Sequence, residues 1–114
     1  MKENKTLPKE GLQFNASYLV KYKEEFVGYI RLEDLRWDGT LNIQCAVSPD
    51  YRNQHLGQKI IETISNYLLE HYENIIKLRG VIEKSNYASR HMFLNTGYKE
   101  EKVDDMYVYV SKTR

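Results

Sequence analysis

A basic stretch that carries a glycine, VSPDYRNQHLGQKII at positions 47–61, joins the end of a strand pattern to the start of a helix pattern. The first amides of a helix have no intrahelical acceptor, and the helix dipole adds positive potential at the same end. Arg52 adds a formal positive charge, and Gly57 lets the backbone come close to an anion. These residue types, in this order, predict a site for a diphosphate.

A second group of polar residues surrounds a later helix pattern. Asn86 stands where a helix cap is expected, and Gly97 stands where a left-handed helix stop is expected. Glu83 and Glu33 lie at or near the ends of predicted strands, where a carboxylate can act as a base directly or through water. Most carboxylates in such positions are only solvated, so both interpretations stay open.

Composition excludes several classes of protein. The 17 Lys and Arg residues nearly balance the 16 Asp and Glu residues, so no field favours nucleic acid or an anionic membrane. No apolar run approaches the roughly 20 residues of a membrane span, and no signal peptide pattern is present. The single cysteine, Cys45, excludes an intrachain disulfide framework and favours a reducing, cytoplasmic setting.

Metal and cysteine chemistry are not favoured either. The three histidines have no ligand spacing among themselves or with Cys45, so we expect no metal site. No sequence signature supplies a base for Cys45, which is better explained as a small buried strand residue than as a nucleophile.

The pattern of apolar residues predicts one α/β domain with a mixed sheet at residues 12–114, after a polar tail at residues 1–11. Helices are predicted from Leu56 to about Tyr72, and from a cap at Ser85 or Asn86 to 95–97. Strands are predicted at 17–23, 26–35, 41–47, 75–83, 98–103 and 106–112, with at most a short strand around 12–14 before them.

Two motifs resemble one family. Arg52-x-x-His55-x-Gly57 resembles the Arg/Gln-x-x-Gly-x-Gly/Ala signature of the GNAT superfamily of acyl-CoA-dependent N-acetyltransferases. Asn86-x-Ala-Ser89-x-x-Met-Phe93-x-x-x-Gly97-Tyr98 is similar to the family's later helix, and most similar to the Asn-x-Ala-Ser form of ribosomal-protein alanine acetyltransferases. Either motif alone is a weak signal, but both occur in the family's order of strands and helices. The resemblance extends over residues 17–112.

The resemblance implies a GNAT-like fold, acetyl-CoA as co-substrate and direct attack of an amine on the thioester. Loop amides would hold the diphosphate, while the third strand would bulge and splay so that its backbone bonds the pantetheine arm and polarises the thioester carbonyl. The residues that it assigns to the coenzyme are Cys45, Ala46, Val47, Arg52, Gln54, His55, Leu56, Gly57, Gln58, Asn86, Ser89 and Phe93.

Three departures from the family pattern bear on function. His55 replaces the first loop glycine, and its imidazole either touches a phosphate or points into water. Phe93 stands where many members have a tyrosine that is thought to protonate the departing thiolate, which leaves Ser89 as the best candidate for that role. The family's strand and helix pair that precede the hairpin have no room here, so the acceptor site must be open, shared with a second chain, or absent.

The leading hypothesis is a cytoplasmic N-acetyltransferase that acts on a primary amine of a small molecule, peptide or protein. The alternatives are a non-catalytic module that binds acyl-CoA or a protein partner, and a small nucleic-acid-binding domain, which the balanced charge disfavours. An exposed last strand at 106–112 could pair with another subunit to form a homodimer, although its polar residues are equally compatible with a protected edge.

Overall fold

The computed structural model of the chain describes residues 15–48, 50 and 56–114. These residues form a mixed α/β fold with one six-stranded sheet in the order β1-β2-β3-β4-β6-β5, in which β3 and β4 are the parallel pair. The predicted order of strands and helices is confirmed, while the predicted tail and the short strand around 12–14 lie outside the described residues. The elements are β1 (Ala16–Tyr22), β2 (Glu25–Glu33), β3 (Thr40–Val47), α1 (Leu56–His71), β4 (Lys77–Glu83), α2 (Tyr87–Leu94), β5 (Lys99–Val103) and β6 (Tyr107–Thr113).

The β1–β2 hairpin turns through two residues, Lys23 and Glu24, whose φ angles are 53° and 69°. Positive φ at both central residues matches the twist of the flanking strands, and for that reason such turns favour Asn and Gly. Lys and Glu adopt this conformation at a cost in free energy, because their Cβ atoms crowd the backbone. The hairpin is therefore held by its strands rather than by its turn.

Both helices pack on the same face of the sheet. Helix α1 buries an apolar stripe that includes Ile61, Ile64 and Leu68, as its helical period predicts. Helix α2 approaches β4 so closely that a Cβ at Gly80 would lie 3.1 Å from the Phe93 ring. The predicted strand glycine thus marks a close approach, and the approaching group is a core phenylalanine.

The last strand is not an edge, and the sequence-based prediction of an exposed strand there was wrong. Strand β6 lies between β4 and β5, with Val108 and Val110 fully buried. Strand β5 folds back outside it and is exposed along its whole length, with the charged sequence KEEKV. Charged residues on an edge strand oppose pairing with another chain. Strand β6 therefore offers no free edge through which a homodimer could form.

Candidate active site

Strands β3 and β4 separate part-way along the sheet. They are paired at Thr40–Lys77, Leu41–Leu78 and Asn42–Arg79, and no pair follows. Strand β2 accompanies β3 as far as Val47, and β6 accompanies β4 as far as Glu83. A gap opens between 43–47 of β3 and 80–83 of β4, and we call this gap the fork. The divergence lies where the sequence predicts it, but the β2–β3 register is unbroken from Asn42 to Val47, so the predicted bulge is absent there.

Backbone polar groups face the fork from both sides. The Ser48 amide donates to the Val27 carbonyl at 2.7 Å, so the alternation along β3 turns the amides and carbonyls of Ile43, Cys45 and Val47 toward β4. On the other side, the Lys84 amide donates to the Met106 carbonyl at 2.9 Å, and the same alternation turns Val81 toward β3. An extended chain that enters the fork can therefore hydrogen-bond to the backbone as an added strand would.

The N-terminus of α1 lies beside the fork. A Cβ at Gly57 would be 3.3 Å from a methyl group of Val47, which places the first turn of α1 against the end of β3. The amides of Leu56, Gly57 and Gln58 belong to this first turn, where a helix has no internal acceptors and its dipole is positive. The loop residues Arg52, Gln54 and His55, which the sequence assigns to the diphosphate, lie outside the described residues.

Gly57 has a structural explanation that differs from the one the sequence suggests. Its Cβ would lie within bonding distance of the Met92 sulfur, because α1 and α2 meet at this point. A larger residue here would have to push the flexible Met92 side chain aside, so the close packing of the two helices favours glycine. A substitution at Gly57 would disturb this packing as well as any ligand, so it does not test ligand binding cleanly.

Helix α2 brings Asn86 and Ser89 to the helix side of the sheet. The Asn86 side-chain oxygen accepts a hydrogen bond from the Ser89 amide at 3.1 Å, which confirms the predicted cap. Capping uses the oxygen of the Asn86 side chain and leaves its NH₂ group for other partners. Ser89 is half-buried and lies one turn before Met92 and Phe93, on the same side of the helix.

Phe93 is 3% exposed, and its ring packs edge-on against Tyr98 with the ring centroids 4.9 Å apart. It also contacts the backbone of β4 at Gly80. The described part of the chain therefore places Phe93 in the core beneath the site rather than at its surface.

The two candidate bases lie at different ends of the fork. Glu83 is exposed at the end of β4, and the register places it level with Ala46, because each is four residues beyond the Asn42–Arg79 pair. Glu33 pairs with Asn42, and one of its oxygens lies 3.2 Å from the Arg31 Nε atom. Four residues of strand correspond to about 13 Å. The structure thus brings Glu83 to the open end of the fork and leaves Glu33 at its closed end.

No residue in the described part of the chain lies beside Cys45 where it would activate the thiol. Burial raises the pKa of Cys45 to about 12, since a thiolate is poorly solvated inside the protein. At neutral pH the residue is a protonated, small strand residue, as the sequence suggests. Among the residues that the structure describes, no three His, Cys, Asp or Glu side chains lie close enough together to hold a metal ion.

Two residues that the sequence does not single out lie at the closed end of the fork. The side-chain oxygen of Asn42 and the Nε atom of Arg79 are buried, and neither has a hydrogen-bond partner in the described part of the chain. They belong to the last paired position of β3 and β4. The only sequence signal is their polar character within apolar strands.

The sequence of the chain matches the family of acetyltransferases described as the GNAT family over residues 2–98. The chain belongs to this family. No curated protein sequence is similar enough to the chain to count as a match. Neither described helix has the length and apolar character that a bilayer span requires.

Solved structures share the fold. A mutant of spermidine N-acetyltransferase SpeG from Vibrio cholerae superposes with a TM-score of 0.75 and is 14% identical over 85% of this chain and 64% of its own. AAC(6')-Ib, in complex with an aminoglycoside and acetyl-CoA, has a TM-score of 0.76 and 17% identity over 86% of this chain and 64% of its own. A GNAT acetyltransferase from Bacillus anthracis has a TM-score of 0.76, with 13% identity over 85% and 65%. The chain therefore spans less than two thirds of the length of these neighbours.

Proposed function

We propose that this protein transfers an acetyl group from acetyl-CoA to a primary amine. The observation that carries the proposal is the fork, where the backbone groups of Ile43 and Cys45 face β4 beyond the last β3–β4 pair and the positive end of α1 lies nearby. A pantetheine arm fits as an added strand along Cys45, Ala46 and Val47. The diphosphate then reaches the amides of 56–58, together with the loop amides from Gln54 onward and the charge of Arg52 that the family resemblance assigns to it.

The candidate acid and the candidate base lie on opposite faces of the sheet. Ser89 lies on the helix side of the fork, where the coenzyme enters. Glu83 follows the buried Ile82 along β4. Successive side chains of a strand alternate between faces, so the Glu83 side chain projects from the face opposite the helices. The amine acceptor therefore approaches from the face opposite the helices, and the thiol departs on the helix side.

In the reaction, the amine nitrogen attacks the thioester carbon, a fork amide stabilises the oxyanion, and the carbon–sulfur bond then breaks. Glu83 takes the proton from the amine, directly or through a water molecule. Ser89 or water gives a proton to the departing thiolate. No covalent enzyme intermediate is formed.

The test is the rate of thiol release from acetyl-CoA with a panel of primary amines. Ser89→Ala is expected to lower kcat while the dissociation constant for acetyl-CoA stays the same, whereas Ser85→Ala, outside the helix, leaves both unchanged. Glu83→Gln is expected to lower kcat/KM, and Glu62→Gln on the exposed side of α1 serves as its control. The absence of turnover above the buffer rate with every amine would contradict the proposal.

A second candidate is an acyl-CoA-binding module with little turnover. The buried Phe93, which carries no acidic proton, favours it. This candidate predicts acetyl-CoA binding without acetylation of any amine, so turnover with a defined amine excludes it.

Two further proposals concern the domain as a whole and its location in the cell. We expect residues 12–114 to unfold as one cooperative domain, which a single transition followed by two spectroscopic probes would verify. We also expect a cytoplasmic location, in keeping with the unpaired thiol of Cys45. Cell fractionation would check this.

A further inference from the structure

The sheet face opposite α1 and α2, called the open face below, is polar and aromatic. It carries Tyr29, Gln44, Val81 and Tyr109, which are exposed or half-exposed. No helix among the described residues packs on this face, since both α1 and α2 lie on the other side. An acceptor that approaches the fork from this side must lie across the open face.

Arg79 differs from Arg31 and Lys77 on the open face, and it shares the Tyr109 ring with Lys102, whose ammonium lies 5.2 Å from the ring centroid. Arg31 pairs with Glu33, and the Lys77 ammonium pairs with Glu101. The Arg79 guanidinium instead stacks on the Tyr109 ring, with its carbon 4.8 Å from the ring centroid. Among the described residues, no carboxylate lies within ion-pair distance of it, and its buried Nε has no acceptor.

In the described part of the chain, Asn42, which pairs with Arg79 between β3 and β4, lacks a hydrogen-bond donor where Arg79 lacks an acceptor. Its side-chain oxygen is buried, and none of the described residues donates a hydrogen bond to it. A buried polar atom that lacks a partner costs free energy, so native structures pair nearly all of them. An unpaired acceptor beside an unpaired cationic donor complements a ligand group that presents an N–H donor next to a carboxylate. The head group of an amino acid has this arrangement.

The position of the pair relative to the fork defines the length of the ligand. Asn42 and Arg79 precede the level of Gln44 and Val81 by two residues, or about 7 Å of strand. Five bonds from an amino-acid α-carbon to a terminal side-chain nitrogen span about 6 Å when extended. A head group on Asn42 and Arg79 therefore places such a terminal amine inside the fork.

We propose that Asn42 and Arg79 bind the amino-acid head group of the acceptor, so that a second amine at its other end receives the acetyl group. The carboxylate accepts hydrogen bonds from the Arg79 guanidinium, and the Asn42 side chain turns its buried oxygen toward the open face to accept from the α-ammonium. Stacking on Tyr109 holds the guanidinium in place before the acceptor binds. This inference rests on the proposed function and names its substrate class, which is amino acids that carry a side-chain amine.

Two pairs of amines test the inference, because the members of each pair differ only in the carboxylate: L-lysine with cadaverine, and L-ornithine with putrescine. For the unaltered protein, the carboxylate is expected to raise kcat/KM by roughly 10- to 100-fold, the range for a hydrogen bond to a charged group. Mass spectrometry of the product should place the acetyl group on the side-chain amine. Equal kcat/KM values for L-lysine and cadaverine would overturn the inference.

Variants connect that preference to the residues. Arg79→Met should bring the L-lysine to cadaverine ratio to about 1, mainly through KM, and Asn42→Leu should lower it. Arg31→Met is the matched control, since it removes a cation from the same face that already has partners, and the ratio should stay unchanged. Thermal unfolding checks that each variant is folded, and Arg79→Lys, which keeps the charge, should retain part of the ratio.

Equilibrium binding separates this inference from the proposed function. Calorimetry of the protein with L-lysine or cadaverine alone needs no turnover, and L-lysine should bind more tightly. Tighter binding of L-lysine without acetylation would support head-group binding by Asn42 and Arg79 and contradict the transferase activity. Acetylation of every amine at equal efficiency would support the transferase activity and overturn the proposed binding of the head group by Asn42 and Arg79.

Discussion

Removal of the buried hydrogen bond between Ser65 and Tyr98 should weaken the packing of α1 against α2. The two side-chain oxygens lie 2.7 Å apart, and Ser65 and Tyr98 are 0% and 2% exposed. Ser65 belongs to α1, while Tyr98 follows α2 and packs against Phe93. The bond therefore connects the helix that begins at the fork to the helix that carries Ser89.

The magnitude follows from burial. Tyr98→Phe leaves the Ser65 hydroxyl to its own helix carbonyls, and Ser65→Ala leaves the Tyr98 hydroxyl buried without a partner. Each change should lower the free energy of unfolding by about 1 to 2 kcal/mol. For a chain of 114 residues this corresponds to a fall in Tm of roughly 4 to 8 °C. The double variant should lose about 1 kcal/mol less than the sum of the two, because the second change then removes an atom that has already lost its partner.

Urea unfolding followed by circular dichroism, with all four proteins of the cycle, measures these values. Tyr109→Phe is a control, since its hydroxyl donates to Asp104 at the surface, where water can replace the bond. Two single variants as stable as the starting protein, or losses that simply add, would refute the view that this hydrogen bond couples the helices.

Three further predictions concern other parts of the chain. Replacement of Lys23 and Glu24 by Asn and Gly should raise the free energy of unfolding by about 1 kcal/mol, because both positions have positive φ; no gain in urea unfolding would mean that the turn is not strained. Because burial raises the pKa of Cys45 to about 12, the folded chain keeps a proton that the unfolded chain loses above pH 9, so stability falls as pH rises through this window. Between pH 8 and pH 10 the unaltered protein should lose about 1 kcal/mol more than Cys45→Ala, and parallel losses would contradict this account. Asn86→Ala should lower stability by about 1 kcal/mol through loss of the cap, and Asn86→Ser by much less; equal stabilities would show that the cap hydrogen bond contributes nothing.

Local patterns predict most of the elements of this fold. The period of α1 and the turn residues around it placed this helix within one residue of its observed end at His71. The capping role of Asn86 and the helix stop at Gly97, which has a φ of 96°, also depend on a few neighbouring residues. Such features are encoded locally, so a single sequence is enough to find them.

The features that the sequence predicts wrongly or does not reveal depend on contacts between residues that are distant in sequence. The position of β6 inside the sheet follows from how the final hairpin is placed against β4, and the strand pattern alone is the same for an edge and an interior strand. The contact of Gly57 with Met92 joins two residues that are distant in sequence. The Asn42–Arg79 pair becomes visible only when the β3–β4 register is known. No periodicity encodes these pairings.

Calorimetric titration of the protein with acetyl-CoA is the decisive experiment, because the fork and the positive end of α1 are proposed to form one coenzyme site. We expect one acetyl-CoA to bind per chain, with a dissociation constant in the micromolar range (about 1 to 100 μM), as is usual for enzyme substrates. Absence of binding at millimolar acetyl-CoA would contradict it, since the fold would then be present without the site on which the proposed function depends.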